Sequence, residues 1–243
     1  MIFPIDGFAG KSDGEDLFYE KMNEFLPQNF ISYHNHDIGM EEADVIMLVP
    51  NKGVLVIEIK AFRPHNINKA RDNKYILKKN GEVIFSPFKQ AARYRDLLVD
   101  RLRNINPEYT KYVIAHVPCF THFTKQDLLE KEMGKICDID LFINSEDIIS
   151  FEAFSKRLEY IFECANKLNI SGLKRNFFPP DEMVLVGNIV MPSSVSLEDI
   201  LVFEDVNEMH SNQENSDYSH VYVKADLCEE TDEECKKIIQ QWN

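Results

Sequence analysis

Residues 41–60 constrain the fold more than any other stretch of the chain. Two aliphatic runs flank Pro50-Asn51-Lys52-Gly53, and such runs joined by Pro, Asn and Gly predict a β-hairpin. Strand side chains alternate between faces, so Glu58 and Lys60 share one face while Leu55, Ile57 and Ile59 take the other. If Pro50 pairs roughly with Gly53, Asp44 falls opposite the segment from Glu58 to Lys60. Two carboxylates and an ammonium then meet at one end of an otherwise apolar hairpin. Such groups are costly to bury unless they pair with one another or hold a cation. The hairpin end is therefore either a functional site or an inert cluster of buried ion pairs.

The flanking sequence predicts what encloses this hairpin. Ser12-Asp13-Gly14-Glu15 has the form of a capping box, with Ser12 as N-cap and Glu15 at N3. A helix follows to about Leu26, burying Leu17, Phe18, Met22 and Phe25, and Pro27 ends it. Gly10-Lys11-Ser12 is not the tail of a phosphate loop, because Ile5 stands where a glycine is required and no strand precedes it. Residues 30–34 predict a short strand entering the hairpin. His34 and His36 share one face, but no third soft ligand has recognisable spacing, which favours satisfied or exposed imidazoles over a metal pair. Residues 62–71 read as loop. Asn80-Gly81 between the β runs 75–78 and 83–85 is a second hairpin signal. Ser86-Pro87 opens a helix to about Ile105, with proline near its first position and Phe88, Ala91, Ala92, Leu98 and Leu102 as its buried stripe. Strands over 111–117 and 141–144, a helix over 150–168 and a strand over 183–190 complete the pattern. Mixed strands with flanking helices define an α/β fold on a central sheet.

Asp44, thirteen residues and then Glu58-x-Lys60 resembles the signature of the PD-(D/E)XK nuclease superfamily, with Ala43 where the name-giving proline would stand. The acidic-Ala-Asp strand, the Lys52-Gly53 turn and the Glu58-x-Lys60 strand resemble one branch closely, the nuclease-related domain, NERD. Gln90 and Tyr94 lie four apart on one helical face and resemble a Gln-x-x-x-Tyr companion motif of the superfamily. Pro87-x-x-Gln90 resembles the NERD helix start. The resemblance spans about residues 8–165. It implies a restriction-endonuclease-like central mixed sheet flanked by helices, and a metal-dependent nuclease. By the resemblance, Mg2+ or Mn2+ is held by Asp44, Glu58 and the Ile59 carbonyl. Lys60 orients the attacking water or stabilises phosphorane charge, with Gln90 also catalytic. Gln90 and Tyr94 position the substrate backbone, with Arg93 and Arg95 as phosphate contacts. Glu15 matches a first-helix glutamate that reaches toward the active site in such domains. It is thus either a further metal ligand or the capping-box residue, since one rotamer cannot do both. The chemistry suits the donors: hydrolysis of a phosphodiester needs an in-line water, neutralised phosphate charge and help for the leaving oxygen, which a hard cation on carboxylates supplies.

Charge bears on the partner. The net charge of −14 argues against nucleic-acid binding at face value, but its distribution is uneven. From Lys60 to Lys125 fourteen Lys/Arg face five acids, an excess of nine, whereas from Asp181 to Asn243 fifteen acids face three lysines. The expected partner is nucleic acid, DNA foremost and RNA as the alternative. A basic middle and an acidic end are equally read as two solvated surfaces. No apolar run approaches the roughly 20 residues of a membrane helix, and the N-terminus lacks a basic signal start. Five scattered cysteines without Cys-x-x-Cys spacing read as reduced thiols of a cytoplasmic protein. The expected organisation is a NERD-like module over residues 1–170 and an acidic extension over 171–243. Residues 208–219 are expected to form a mobile loop, and residues 229–242 a charged helix. NERD domains often accompany helicase or kinase domains, so the chain is expected to be part of a longer nuclease-helicase type protein. The alternatives are a non-catalytic nucleic-acid grip and a docking module on the same fold.

Overall fold

A computed structural model of the chain describes residues 12–27, 29–38, 41–167, 186–187 and 189–190. The chain divides into two units, Met1–Val190 and Met191–Asn243, and every element below lies in the first. In order these are α1 (Asp13–Phe25), β1 (Ile31–Ile38), β2 (Glu41–Val49), β3 (Gly53–Ile59), β4 (Ile67–Ala70), β5 (Tyr75–Lys78), β6 (Val83–Phe85), α2 (Pro87–Ile105), β7 (Val113–Phe120), α3 (Lys125–Glu130), β8 (Ile143–Asn144) and α4 (Phe151–Lys167). The extensions predicted over 208–219 and 229–242 lie outside the described residues.

The predicted hairpin is the spine. β2 and β3 pair antiparallel from Val49↔Gly53 to Val45↔Ile57, and they sit inside a five-stranded sheet of order β1-β2-β3-β7-β8. β1 is antiparallel to β2, whereas β7 is parallel to β3 and β8 to β7. The sheet is therefore mixed, as the sequence predicts. Parallel pairing needs a long crossover, and residues 60–112, with β4–β6 and α2, supply it between β3 and β7. Every residue of β3 is buried, which explains its unbroken aliphatic run: a strand covered on both faces has no use for polar alternation.

Alternate β3 residues feed two cores. Leu55, Ile57 and Ile59 pack with Phe18, Tyr19 and Met22 of α1 and with Phe154, Leu158 and Ile161 of α4. Val54 and Val56 pack with Leu98 and Leu102 of α2 on the other face. Each such side chain contributes about 1.5–3 kcal/mol on burial. A separate three-stranded antiparallel sheet, β4-β5-β6, lays Ile76 and Ile84 on Phe120, Phe123 and Phe142.

Several sequence expectations are corrected. The first strand runs on to Ile38, the strand predicted over 111–117 is β7, ending at Phe120, and the one over 141–144 shortens to β8 behind a 3-10 turn at Ile139–Leu141. Part of the predicted loop 62–71 is β4. In the predicted strand over 183–190 the described residues 186, 187, 189 and 190 are helical. Val186 and Val190 are both buried in the α2-side core, and a spacing of four puts them on one helical face. A Cβ on Gly187 would lie 2.4 Å from the Tyr33 hydroxyl, so a larger residue here would have to displace the tip of that side chain.

Candidate functional site

The site grows from the end of the β2–β3 ladder. Regular pairing stops at Val45↔Ile57, and Asp44 continues the contact with its side chain: its Oδ2 accepts the Ile59 N–H at 2.7 Å. Gly53 pairs with Val49, one residue short of the expected Pro50, and the same register carried one step past Val45↔Ile57 brings Asp44 level with Glu58, within the segment that the hairpin reading names. Glu58 is 3 % exposed. Its Oε1 accepts from the Lys60 ammonium at 2.5 Å, and its Oε2 is buried with no hydrogen-bond partner. Lys60 is anchored by its backbone, which donates to the Cys119 carbonyl on β7 at 2.8 Å.

Burial sets the electrostatics. Desolvation raises the carboxyl of Asp44 to about 6, opposed by the Ile59 N–H and the Lys60 charge. Desolvation and then the Asp44 charge raise Glu58 to about 7, opposed by Lys60. The two acids are neighbours at the end of the ladder and the Asp44 charge raises Glu58, so without a cation the pair favours holding a proton over carrying two charges. One ammonium does not neutralise the buried Glu58 and the half-buried Asp44 together, and the bare Oε2 of Glu58 marks the deficit.

α1 closes the site from its side. Ser12 caps the helix, its Oγ accepting the Glu15 N–H at 3.3 Å and donating to Glu15 Oε1 at 2.9 Å. Glu15 is buried and its charge raises Asp44, so the capping role and proximity to the acidic pair coexist. Among the described residues no group of three His, Cys, Asp or Glu side chains is arranged to hold a metal. The donors at hand are the two carboxylates and backbone oxygen. Four residues beyond Glu15, Tyr19 donates its hydroxyl to the Asp44 carbonyl at 3.2 Å. Tyr19 stacks on His34 at 3.9 Å between centroids and 9° between planes. Sequence reasoning passed over Tyr19; the helical spacing from Glu15 was the available signal. His34 is a satisfied, half-buried imidazole, with Nε2 2.9 Å from Ser32 Oγ and desolvation lowering its pKa to about 4.

Close approach fixes α1 in place. A Cβ on Gly14 would lie 2.8 Å from Ala61 and from Thr121 Oγ1, so the first turn of α1 rests directly on the exits of β3 and β7. Arg63 ties the same turn by a 2.9 Å bond to Asp13.

The companion residues sit on α2, which covers the sheet face of Val54 and Val56. Gln90 is half-buried in the first turn, and Tyr94 packs on the apolar cluster below it. No hydrogen bond joins the Gln90 side chain to Asp44, Glu58 or Lys60. Arg93 is exposed. Arg95 pairs with Asp96 at 2.6 Å and lines a cavity of about 290 Å³ with His116 and Cys164. The structure thus brings together Asp44, Glu58, the Ile59 backbone and Lys60, with Glu15 alongside. It places Gln90, Tyr94, Arg93 and Arg95 on a neighbouring helix without direct bonds to that group.

A mixed sheet between helices, with a carboxylate pair and a lysine at the end of its central hairpin, defines an α/β protein with an acidic-basic site. Residues 10–121 match the model of the nuclease-related domain family, NERD, so the chain carries a nuclease-related segment that contains all of Asp44, Glu58, Lys60, Gln90 and Tyr94. No curated protein and no solved structure matches the chain. No helix among the described residues is long and apolar enough to cross a membrane.

Proposed function

We propose that the chain is a metal-dependent nuclease that hydrolyses phosphodiester bonds of nucleic acid, DNA foremost, at the Asp44–Glu58–Lys60 site. The observation that carries this reading is the uncompensated carboxylate pair: a buried Glu58, a half-buried Asp44, one ammonium and a Glu58 oxygen with no partner. A hard divalent cation, Mg2+ or Mn2+, suits an all-oxygen donor set. Asp44, Glu58 and the Ile59 carbonyl would hold it, with Glu15 at its margin. When bound it would neutralise phosphate charge and lower the pKa of a coordinated water.

The protein's own groups supply the rest. Lys60 holds a proton-rich charge beside the Glu58 carboxylate, where it can steady the attacking water or meet negative charge developing on phosphorus. Asp44 is fixed at both ends, its side chain by the Ile59 N–H and its carbonyl by the Tyr19 hydroxyl. Gln90 and Tyr94 on α2 would position the substrate backbone, with Arg93 and Arg95 as phosphate contacts. Residues 1–170 would form this module and residues 171–243 an acidic extension in a longer, helicase-associated protein. The test is incubation of labelled linear and circular DNA with and without Mg2+ or Mn2+. Cation-dependent cutting that Glu58→Gln removes supports the assignment, and cutting that survives it rejects the site.

A further inference from the structure

The three-stranded sheet presents a surface that no part of the acidic site uses. β5 and β6 pair Tyr75↔Phe85, Ile76↔Ile84 and Leu77↔Val83. Ile76 and Ile84 turn inward to the core. Tyr75, Val83 and Phe85 stand outward at 38 %, 44 % and 46 % exposure. Tyr75 and Phe85 are cross-strand neighbours, 6.0 Å between centroids and 72° between planes. A small sheet showing two aromatic rings to water is unusual unless something covers them.

The surroundings say what. Between Ile67 and Phe85 the chain carries Lys69, Arg71, Lys74, Lys78 and Lys79 against Asp72 and Glu82, in a protein of net charge −14. Lys78 is committed to Glu82 and Lys69 to Glu132. Arg71, Lys74 and Lys79 are exposed and form no ion pair among the described residues. Lys69 lies opposite Leu77, so positive charge also borders the rings from β4. Rings for base faces and cations for phosphates are the two components of a single-strand platform. Placement agrees with such a role. β3 ends in Glu58 and Ile59, Lys60 follows directly, and the chain then runs through Arg63 into β4. Phe62 carries Lys78 over its ring at 5.6 Å and packs on Phe120. The platform thus hangs from the same end of β3 as the acidic pair.

We propose that the outer face of β4–β6 binds single-stranded nucleic acid, with unstacked bases on Tyr75 and Phe85 and phosphates at Arg71, Lys74 and Lys79. Its relevance to cutting rests on the nuclease reading, for it makes strands with unpaired bases the preferred substrate. Its test is binding alone, with divalent cations chelated, so the two can fail separately. A fluorescein-labelled oligothymidylate of about 20 nucleotides, long enough for one platform, is titrated with the full chain by anisotropy. An abasic oligomer of equal length is titrated alongside. The Tyr75→Leu/Phe85→Leu double variant keeps the face apolar but removes both rings. It should weaken oligothymidylate binding about tenfold or more while leaving the abasic oligomer unchanged, and Tyr75→Phe should retain binding. Lys74→Ala with Lys79→Ala should weaken both oligomers and lower the salt slope by about 1.4, since each single-strand phosphate contact contributes about 0.7. Equal loss on both oligomers, no loss on either, or no binding by the parent chain overturns the proposal. So does a dimer in sedimentation that dissociates in the double variant, since the rings would then be a contact between copies. Binding that persists while Glu58→Gln leaves cutting unaltered would sink the assigned catalytic site and spare the platform.

Discussion

The chain folds two hairpins that meet opposite fates. β2–β3 lies in the middle of a five-stranded sheet, covered on both faces, and every residue of β3 is buried. β5–β6 lies at one side of a three-stranded sheet and buries one face, leaving Tyr75, Val83 and Phe85 in water. Both turn through a glycine at positive φ, Gly53 at 142° and Gly81 at 87°. The first hairpin has solvation so scarce at its end that two carboxylates are held toward their neutral forms. The second has solvation to spare and carries charge at no cost. Depth therefore separates a hairpin end that forces carboxylates toward neutrality from one whose charges and rings stand in water.

The largest effect should come from the buried hairpin. Glu58→Gln or Asp44→Asn is expected to lower cation-dependent cutting on the order of 10³-fold, the several kcal/mol a cation supplies to the transition state. The same variants should melt no lower than the parent in chelator at pH 8, because each removes a buried, poorly compensated charge. A melting temperature several degrees lower would mean the acids are structural. Lys60 is next. Lys60→Ala should lower turnover by about 10²–10³-fold, as for loss of a transition-state donor, while calcium affinity by calorimetry stays within about tenfold. Loss of calcium binding would make Lys60 an electrostatic prop for the carboxylates.

Gly53 tests the depth of the same hairpin without touching its chemistry. A Cβ there would lie 2.1 Å from the Val113 carbonyl oxygen, a backbone atom that cannot step aside, and φ at 142° is itself foreign to other residues. Gly53→Ala should cost about 3 kcal/mol or more in urea unfolding, in the range of overpacking plus backbone strain. A loss under about 1 kcal/mol would show that the β3–β7 pairing can open at its start.

How much of this could be read in advance follows the same divide. The β2–β3 hairpin, its sheet and the meeting of Asp44 with Glu58 were legible, because aliphatic runs of fixed period leave few ways to pair. The capping of α1 by Ser12 and of α2 by Ser86 was legible from local chemistry. β4 was not: Ile67–Ala70 is four residues with two lysine- or asparagine-bearing exposed positions, and only its pairing with β5 makes it a strand. α3 was missed although Thr124 and Asp127 form a full capping box, since six residues give too short an apolar period to notice. Tyr19 was hidden for a different reason. Its role depends on His34 and Asp44, fifteen and 25 residues away along the chain, and the local cue is its helical spacing from Glu15, which does not name either partner.

Acid should separate the two cores more gently. His116 on β7 packs against Phe88 with ring centroids 4.6 Å apart and planes tilted by 38°, and burial, then the charges of Arg95 and Lys89, lower its pKa to about 3. The folded state therefore keeps it neutral, whereas the unfolded chain takes up a proton below about 6.5. Its contribution is constant above that pH and is lost as pH falls toward 3, at no more than about 1.4 kcal/mol per unit. Asp44 and Glu58 have the opposite sign, holding protons in the folded state and losing stability as pH rises from the ordinary carboxylate range toward 7. Subtracting the urea stability of His116→Gln from that of the parent at each pH isolates the histidine. A difference that does not change between pH 7 and pH 5 would show that the ring gains a proton in the fold.

The exposed hairpin should give the smallest response. Gly81 follows Asn80 in a turn where the Lys78 N–H bonds the Glu82 carbonyl and the Gly81 N–H bonds the Lys78 carbonyl. Only Gly81 has positive φ there, so this is not the turn with two left-handed residues that Asn-Gly most often forms. Nothing lies within 4 Å of where its Cβ would stand. Gly81→Ala consequently meets backbone strain and no clash, and the expected cost is about 1 kcal/mol. Gly81→Asn should cost less, because asparagine tolerates the left-handed region better than alanine. Urea unfolding of both variants beside Gly53→Ala provides the comparison. If Gly81→Ala costs as much as Gly53→Ala, the small sheet is bound into the cooperative core as tightly as the large one, and depth is not what distinguishes the two hairpins.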